Sequence, residues 1–191
     1  MGKRRRRKTV SPRGSAVARW WNGVRYRLAA GKYVLIFASL AGTVIAAFGL
    51  LLHSAHLARV DGQNLTCLAL NIYYEARGEP RAGKYAVAEV TLNRVASPRY
   101  PNTVCSVVYQ KNWDWIRKRY VAAFSWTEFK TLPDPQGPQW ASAREIAEEV
   151  YYRRKEPALA DALYYHAKYI RPSWSREKTR VAQIGNHVFY R

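Results

Sequence analysis

Three glutamates lie in one largely apolar stretch of the chain, residues 71–95, which reads NIYYEARGEPRAGKYAVAEVTLNRV. Glu75 follows two tyrosines, Glu79 comes four residues later, and Glu89 is flanked by alanine and valine. A carboxylate in apolar surroundings loses hydration, so its pKa rises and it becomes a proton donor near neutral pH. Glu75 is therefore our candidate general acid. Solvent exposure or ion pairing with nearby arginines is the alternative for all three glutamates.

Aromatic residues crowd two later stretches, 113–140 and 164–174. Aromatic faces stack on sugar rings, but they also fill hydrophobic cores. A groove lined by several of these rings beside an acid of raised pKa would be a carbohydrate site. For any single ring, a place in the core is the competing interpretation.

Helices and a small sheet must position these residues. Apolar residues that recur every three to four positions predict helices, and short aromatic and β-branched runs between Pro and Gly predict strands. The predicted helices cover 63–77, 82–95, 103–109, 113–121 and 139–154, and the predicted strands cover 163–166 and 187–190. The prediction is an α+β domain, mainly helical, with a small antiparallel sheet at the C-terminal end.

The N-terminal part has a different composition. Of the 32 Lys and Arg residues that contribute to the net charge of +19, eleven lie within residues 1–32, which hold no acidic residue. Residues 33–52 then form an uncharged apolar run of 20 residues, which as a helix would span about 30 Å, the thickness of a bilayer's hydrocarbon core. A cleaved signal peptide is the alternative, although its apolar region is usually shorter, about 7–15 residues.

The basic segment also predicts topology. Because positive residues stay on the cytoplasmic side, we expect a single-pass membrane protein with a cytoplasmic N-terminus and an exported C-terminal domain. The expected order is a basic cytoplasmic tail (1–32), a transmembrane helix (33–52), a linker (53–62) and a functional domain (63–191). The basic run Arg4–Lys8 is also typical of nucleic-acid binding. Beside an apolar span we assign it to topology and anionic lipid, and we expect no nucleic-acid partner.

Composition and cysteine content exclude other classes. The 48% hydrophobic content is too high for a disordered polycation, and two cysteines exclude a disulfide-dense miniprotein. Four scattered histidines show no metal-ligand spacing, so we expect neither metal nor cofactor. Cys67 and Cys105 both lie in the part expected to be exported, where an oxidising compartment permits a disulfide. Two buried free thiols are the alternative.

The chain resembles the SleB-type cell wall hydrolase family, the catalytic domain of spore cortex-lytic enzymes and their relatives. The resemblance covers about residues 65–190 and none of residues 1–60. Its motifs occur in the family's order: IYYEARGEP (72–80), AVAEVTLNRV (86–95), YPNTVCSVVYQ (100–110), FSWT (124–127), ALYYHA (162–167) and IGNHVFY (184–190). The cysteines and the YYHA segment look like the variant found in envelope proteins of Gram-negative bacteria. This resemblance implies a bacterial inner-membrane protein whose catalytic domain is periplasmic.

The resemblance implies a lysozyme-like core that cuts the glycan strands of peptidoglycan. It implies lytic transglycosylase chemistry at the bond between N-acetylmuramic acid and N-acetylglucosamine, with Glu75 as the single general acid and base. Further residues match motif positions and are expected to line the groove: Phe124, Ser125, Trp126, Tyr165, His166 and Trp174. For His166 a place in the core is an equal alternative, and Asn93 and Arg94 are expected to brace the helix pair.

Two other functions stay open at this point. A muramidase-type hydrolase would need a second carboxylate at about 5–5.5 Å or 6.5–9.5 Å from the first, and Glu79, Glu89 and Glu128 are the candidates. A catalytically silent module that binds the wall as a scaffold is the second alternative.

Overall fold

The computed structural model describes residues 15–115, 117–152, 159 and 161–191. The first fourteen residues of the expected cytoplasmic tail lie outside this range. The chain divides into two compact units, one ending at His56 and one comprising Leu57–Arg191. In chain order the helices are α1 (Ser15–Ala76), α2 (Arg81–Ala96), α3 (Val104–Val108) and α4 (Gly137–Tyr152). The strands are β1 (Lys111–Asp114), β2 (Arg119–Ala122), β3 (Tyr164–Ala167), β4 (Arg180–Ile184) and β5 (His187–Tyr190).

Helix α1 is continuous through the segment expected to be a linker. Residues 53–62, HSAHLARVDG, are helical because Ala, Leu and Arg favour the helix and no proline interrupts it. The linker expected at residues 53–62 is thus helical, and the expected domain bounds stay a prediction. By length and composition, α1 is the one helix in the described chain that is long and apolar enough to cross a membrane.

The core of the second unit lies where the C-terminal turns of α1 pack with α2, α3 and α4. Leu68 and Ile72 of α1 and Ile146 of α4 are fully buried in it. A smaller cluster joins α2 to the sheet through Val90 and Phe189. The helical members of these clusters, Leu68, Ile72, Val90 and Ile146, are apolar positions that the three-to-four spacing predicts. The helical part of the fold therefore follows from the sequence pattern.

The segment predicted as a helix over 113–121 is instead an antiparallel hairpin of β1 and β2. Trp113 pairs with Tyr120 and Asp114 with Arg119. Aromatic and β-branched residues gain cross-strand contacts that a helix would not provide. Lys118 adopts a positive φ of 49° in the connection, which interrupts any helix there.

The C-terminal sheet has three antiparallel strands in the order β3–β5–β4. The two strands predicted from sequence are present, at 164–167 and 187–190, and β4 is a third strand that the sequence analysis missed. Gly185 in the β4–β5 turn has φ +59°, and a Cβ there would collide with the Glu79 carboxylate. Glycine is therefore required for two reasons: the turn needs a positive φ, and the Glu79 side chain approaches too closely to leave room for a Cβ.

A disulfide joins Cys67 of α1 to Cys105 of α3, with the two Cα atoms 5.2 Å apart. The pairing expected from the sequence is present in the structure. The bond closes a loop over a sequence separation of 38 residues and holds the short helix α3 against the core.

Alkylation of the unreduced, denatured chain should label neither cysteine. The double substitution Cys67→Ser with Cys105→Ser should lower the free energy of unfolding by roughly 2–4 kcal/mol, because the unfolded chain regains the entropy of the open loop. Denaturant unfolding of the full chain in detergent measures this loss, and wild type under reducing conditions is the control. Two reactive thiols in the unreduced protein would contradict the disulfide.

Candidate active site

Glu75 is the second-last residue of α1 and is partly buried. Its Oε2 accepts a hydrogen bond of 3.2 Å from the Tyr165 hydroxyl. Burial raises the pKa of Glu75, while the Tyr165 hydrogen bond and the positive charge of Arg94 lower it in part. The net pKa is raised, as expected for a group that must donate a proton near neutral pH.

Tyr165 belongs to β3 and is held by aromatic neighbours from β5. Its ring centroid is 5.2 Å from that of His187 and 5.7 Å from that of Phe189. Burial, and then the neighbouring Glu75, raise the pKa of Tyr165 well above its usual value. The phenol therefore stays neutral and acts as a hydrogen-bond donor toward the carboxyl group.

Arg94 lies near the C-terminal end of α2 and is 9% exposed. Its Nε donates a 2.8 Å hydrogen bond to the Leu163 carbonyl. Asn93 donates to the carbonyls of Leu159 and Ala162, at 2.9 and 3.2 Å. The two residues thus brace α2 against the segment that leads into β3, rather than against another helix as expected.

A cleft of about 600 Å³ opens beside these residues, between the β1–β2 hairpin and the C-terminal sheet. Tyr165 and Arg94 both line it, whereas Glu75 does not. Glu75 lies behind this lining, where it accepts the Tyr165 hydrogen bond and feels the charge of Arg94. The other lining residues are Tyr100, Asn112, Trp113, Asp114, Val121, Ala122, Ala123, Tyr164, Trp174 and Lys178. The arrangement combines an acid of raised pKa with a groove rich in aromatic and polar groups.

Of the residues expected to line the groove, the structure brings Tyr165 and Trp174 to the cleft. Phe124 and Trp126 lie in the core instead, at 2% and 7% exposure. Trp126 stacks on Tyr74 and donates from Nε1 to Asn71. The structure therefore places both side chains in the core and not at the groove surface: Trp126 packs against α1, and Phe124 lies under the Arg94 guanidinium of α2.

Ser125 is exposed and begins the short 3₁₀ helix Ser125–Glu128, outside the cleft lining. His166 is a partnered histidine. Its Nε2 lies 3.0 Å from the Tyr190 hydroxyl and its Nδ1 lies 2.9 Å from the Ala167 carbonyl. His166 is half-buried and its ring lies 5.6 Å from that of the cleft residue Trp174, so its role stays a prediction.

Each of the three candidates for a second carboxylate makes hydrogen bonds that stabilise the fold. Glu79 accepts two hydrogen bonds from Asn186, Glu89 accepts one from the Leu159 amide, and Glu128 accepts one from the Ala122 amide. None of the three lines the cleft. The acidic residue that does line it is Asp114, which the sequence analysis missed because its segment was predicted as helix.

Glu79 ties the start of α2 to the turn between β4 and β5. Its side chain is 8% exposed, and Oε2 and Oε1 accept from the Asn186 backbone and side-chain amides at 2.8 and 3.0 Å. The buried His187 Nδ1 lies 3.8 Å from Oε1. Glu79 is therefore a positioning residue for the sheet that carries Tyr165.

Other cleft residues were also missed. Trp113 sits on the mispredicted hairpin, Tyr100 lies within a family motif, and Lys178 lies outside every motif. The sequence carries no local signal for Lys178. Within the described ranges, no three His, Cys, Asp or Glu side chains come together in a way that could hold a metal ion.

Comparison with known proteins decides the family. The family model described as Cell Wall Hydrolase matches residues 78–190, more than half of the chain. The chain belongs to this cell wall hydrolase family. The match begins three residues after Glu75, so the role of that residue rests on the geometry and on the motif around it.

Several relatives of the cell wall hydrolase domain are spore cortex-lytic enzymes. The chain is 26% identical over 129 residues to the enzyme of Halalkalibacterium halodurans and 27% identical over 132 residues to that of Bacillus subtilis (strain 168). These matches cover 66% and 68% of this chain but only 34% and 38% of the relatives. The chain therefore spans little more than a third of the length of these proteins.

Among solved structures, the fold is similar to the catalytic domain of the germination-specific lytic transglycosylase SleB from Bacillus anthracis. The TM-score is 0.50 at 26% identity, over 67% of this chain and 93% of that domain. The similarity supports the SleB-type resemblance and a mostly helical fold with small antiparallel sheets.

The substitution Glu75→Gln should raise the free energy of unfolding near pH 7.5 and leave it unchanged near pH 4. Burial raises the folded-state pKa of Glu75 above its unfolded value, so the stability from this group is complete below the unfolded pKa and is lost as pH rises through the folded pKa. Glutamine cannot ionise and keeps the Tyr165 hydrogen bond, so it avoids that loss.

Denaturant unfolding of the full chain in detergent at both pH values measures this effect. Glu148→Gln, at an exposed glutamate of α4, is the matched control and should show no such gain. An equal change in stability at both pH values for Glu75→Gln would contradict a raised pKa.

Proposed function

We propose that the domain cleaves the glycan strands of peptidoglycan as a lytic transglycosylase with a lysozyme-like core. The observation that carries the proposal is the partly buried Glu75, with its raised pKa, beside a cleft lined by its own partners Tyr165 and Arg94. The membership of the cell wall hydrolase family and the similarity to a lytic transglycosylase domain support the same chemistry.

The reaction needs one carboxyl group. Glu75 donates its proton to the oxygen between N-acetylmuramic acid and N-acetylglucosamine, the bond from C1 to that oxygen breaks, and positive charge develops on the muramic sugar. The C6 hydroxyl of the same sugar then attacks C1 and gives its proton to the Glu75 carboxylate. A 1,6-anhydro ring forms, Glu75 is again protonated, and no water is consumed.

Tyr165 positions the Glu75 carboxyl group and stabilises its negative charge. The hydroxyl donates to Oε2, so it stabilises the carboxylate that exists between the two proton transfers. Tyr165 and Trp174 offer aromatic surface to the sugars that occupy the cleft.

A muramidase-type hydrolase is the second candidate function, and Asp114 is the observation that keeps it open. A second carboxylate is required to activate water or to form a covalent intermediate, and Asp114 is the acid that lines the cleft. Its Oδ1 already accepts from the Arg117 amide at 2.9 Å and its Oδ2 pairs with Arg117 at 3.3 Å. These bonds favour a structural role, so we place the transglycosylase first.

Incubation of the full chain with peptidoglycan sacculi, followed by mass spectrometry, tests the proposal. Wild type should release anhydro-muropeptides, and Glu75→Gln should reduce release by at least about 100-fold because the proton donor is lost. Glu148→Gln, at an exposed glutamate outside the cleft, should retain full activity.

Two outcomes would contradict the transglycosylase. Products with reducing ends, together with their loss in Asp114→Asn, would establish the hydrolase. No release by wild type with retained sacculus binding would establish the silent scaffold. Full activity of Glu75→Gln would refute the assignment of the acid.

We also propose that the protein is a single-pass inner-membrane protein with a cytoplasmic N-terminus and a periplasmic catalytic domain. The exposed apolar side chains of α1 and the eleven basic residues before position 33 support this arrangement. The disulfide fits the oxidising side of that membrane.

Protease treatment of spheroplasts should remove a C-terminal epitope tag and spare an N-terminal one. The membrane fraction should contain the full-length chain, because the helix is retained as an anchor. Permeabilised cells are the control, in which both tags should be lost. A soluble, N-terminally shortened chain would show that the segment is a cleaved signal peptide.

A further inference from the structure

The cleft is lined by a positive group, the Arg94 guanidinium, which lies close enough to Glu75 to lower the pKa of that carboxyl in part. Arg94 is 9% exposed and lines the cleft, and its Nε donates a hydrogen bond to the Leu163 carbonyl. Its hydrogen bond to the described residues is made from Nε, and its two terminal amino groups make none there. A buried guanidinium normally has acceptors for its planar set of donors, so these groups are available to a ligand in the cleft.

The same guanidinium is held in place by two rings. Its Cζ lies 5.4 Å from the ring centroid of Tyr100 and 5.1 Å from that of Phe124. Cation–π contacts of this kind fix the plane without using the terminal donors. Arg94 is thus a preorganised donor, and Phe124 helps to hold it from the core side.

Lys178 extends the positive surface along the cleft. Its Nζ lies 3.9 Å from the ring centroid of Tyr164, and Tyr164 is hydrogen-bonded to Tyr100. Burial raises the pKa of Tyr164, but the Tyr100 hydrogen bond and the charges of Lys178 and Arg99 outweigh it, so the net pKa is lowered. We call Arg94, Tyr100, Tyr164 and Lys178 the basic wall.

The acidic residue in the cleft lining does not neutralise the positive charge of the basic wall. Asp114 is the acidic lining residue in the described chain, and its carboxylate is engaged by Arg117. Two cations therefore line the cleft, and the acid that lines it has its own cation. Glu75, the acid beside Arg94, has a pKa raised by burial, which favours its neutral form.

We propose that the basic wall binds a carboxylate carried by the glycan close to the bond that is cleaved. The inference rests on the proposed function and names the substrate feature that the cleft selects. Two groups could supply the carboxylate: the free lactyl group of a muramic sugar without peptide, or the stem peptide attached to that group. A guanidinium with two free terminal groups matches a carboxylate in a bidentate manner.

The bound carboxylate would also change the pKa of Glu75. Arg94 lowers the pKa of Glu75 in the free protein. A carboxylate paired with Arg94 offsets that charge, so the pKa of Glu75 rises when the correct strand is in place. Substrate binding would thus favour the protonated acid that the first step requires.

Binding to the inactive Glu75→Gln full chain in detergent tests the inference without turnover. The probes are three soluble oligosaccharides of equal length: a peptide-free muramic-acid glycan with lactyl carboxylates, the same glycan with stem peptides, and a neutral N-acetylglucosamine oligomer. At least one carboxylate-bearing glycan should bind about tenfold more tightly than the neutral oligomer, and added salt should reduce this preference. The tighter of the two identifies the source of the carboxylate.

Lys178→Met in the same background should remove most of the preference. Lys178 is chosen because replacing Arg94 would also break its bond to Leu163 and disturb the fold. Lys130→Met, at an exposed lysine outside the cleft lining, is the matched control and should keep the preference.

Equal binding of the neutral oligomer, or an unchanged preference in Lys178→Met, would overturn the inference while leaving glycan cleavage by wild type intact. If wild type releases no fragments but the carboxylate preference and its loss in Lys178→Met persist, the proposed function fails and the basic wall stands.

Discussion

The hydrogen bond from the Tyr165 hydroxyl to Glu75 joins the last turn of α1 to the first strand of the C-terminal sheet. A carboxyl group at this position loses hydration, and the phenol is the neutral donor that makes partial burial tolerable. The bond forms only if the sheet approaches the helix end in one orientation. Most of the polar contacts around the site serve that orientation, because each attaches the sheet, or the chain leading to it, to the helices.

Glu79 and Arg94 show how the attachment is made. Glu79 binds the β4–β5 turn at Asn186, and Arg94 binds the chain just before β3 at Leu163. One anchor thus holds each end of the three-stranded sheet, and the hydroxyl of Tyr165 is placed between them. The second glutamate of the EARGE motif is explained in this way as a structural partner and not as a second catalytic acid.

The aromatic residues form two groups: some are packed in the hydrophobic core, and others line the cleft. Trp126 and Phe124 are buried against α1 and under Arg94, where they fill space and fix a cation. Trp113, Tyr164 and Trp174 line the open side. Because a ring can do either job equally well, composition alone could not separate the two groups, and the motif match selected members of both.

The sequence by itself determined four of the five predicted helical segments of the domain, two of the three strands of the final sheet, the apolar N-terminal run and the candidate acid. Hydrophobic periodicity and local motifs carry that information. Only the tertiary structure decided that 113–121 is a hairpin, that Asp114 and Lys178 line the cleft, and that Phe124 and Trp126 do not. The physical reason is separation along the chain. The partners that settle these roles, such as Glu75 and Tyr165, are 90 residues apart, and side-chain contacts over such distances exist only once the elements have packed.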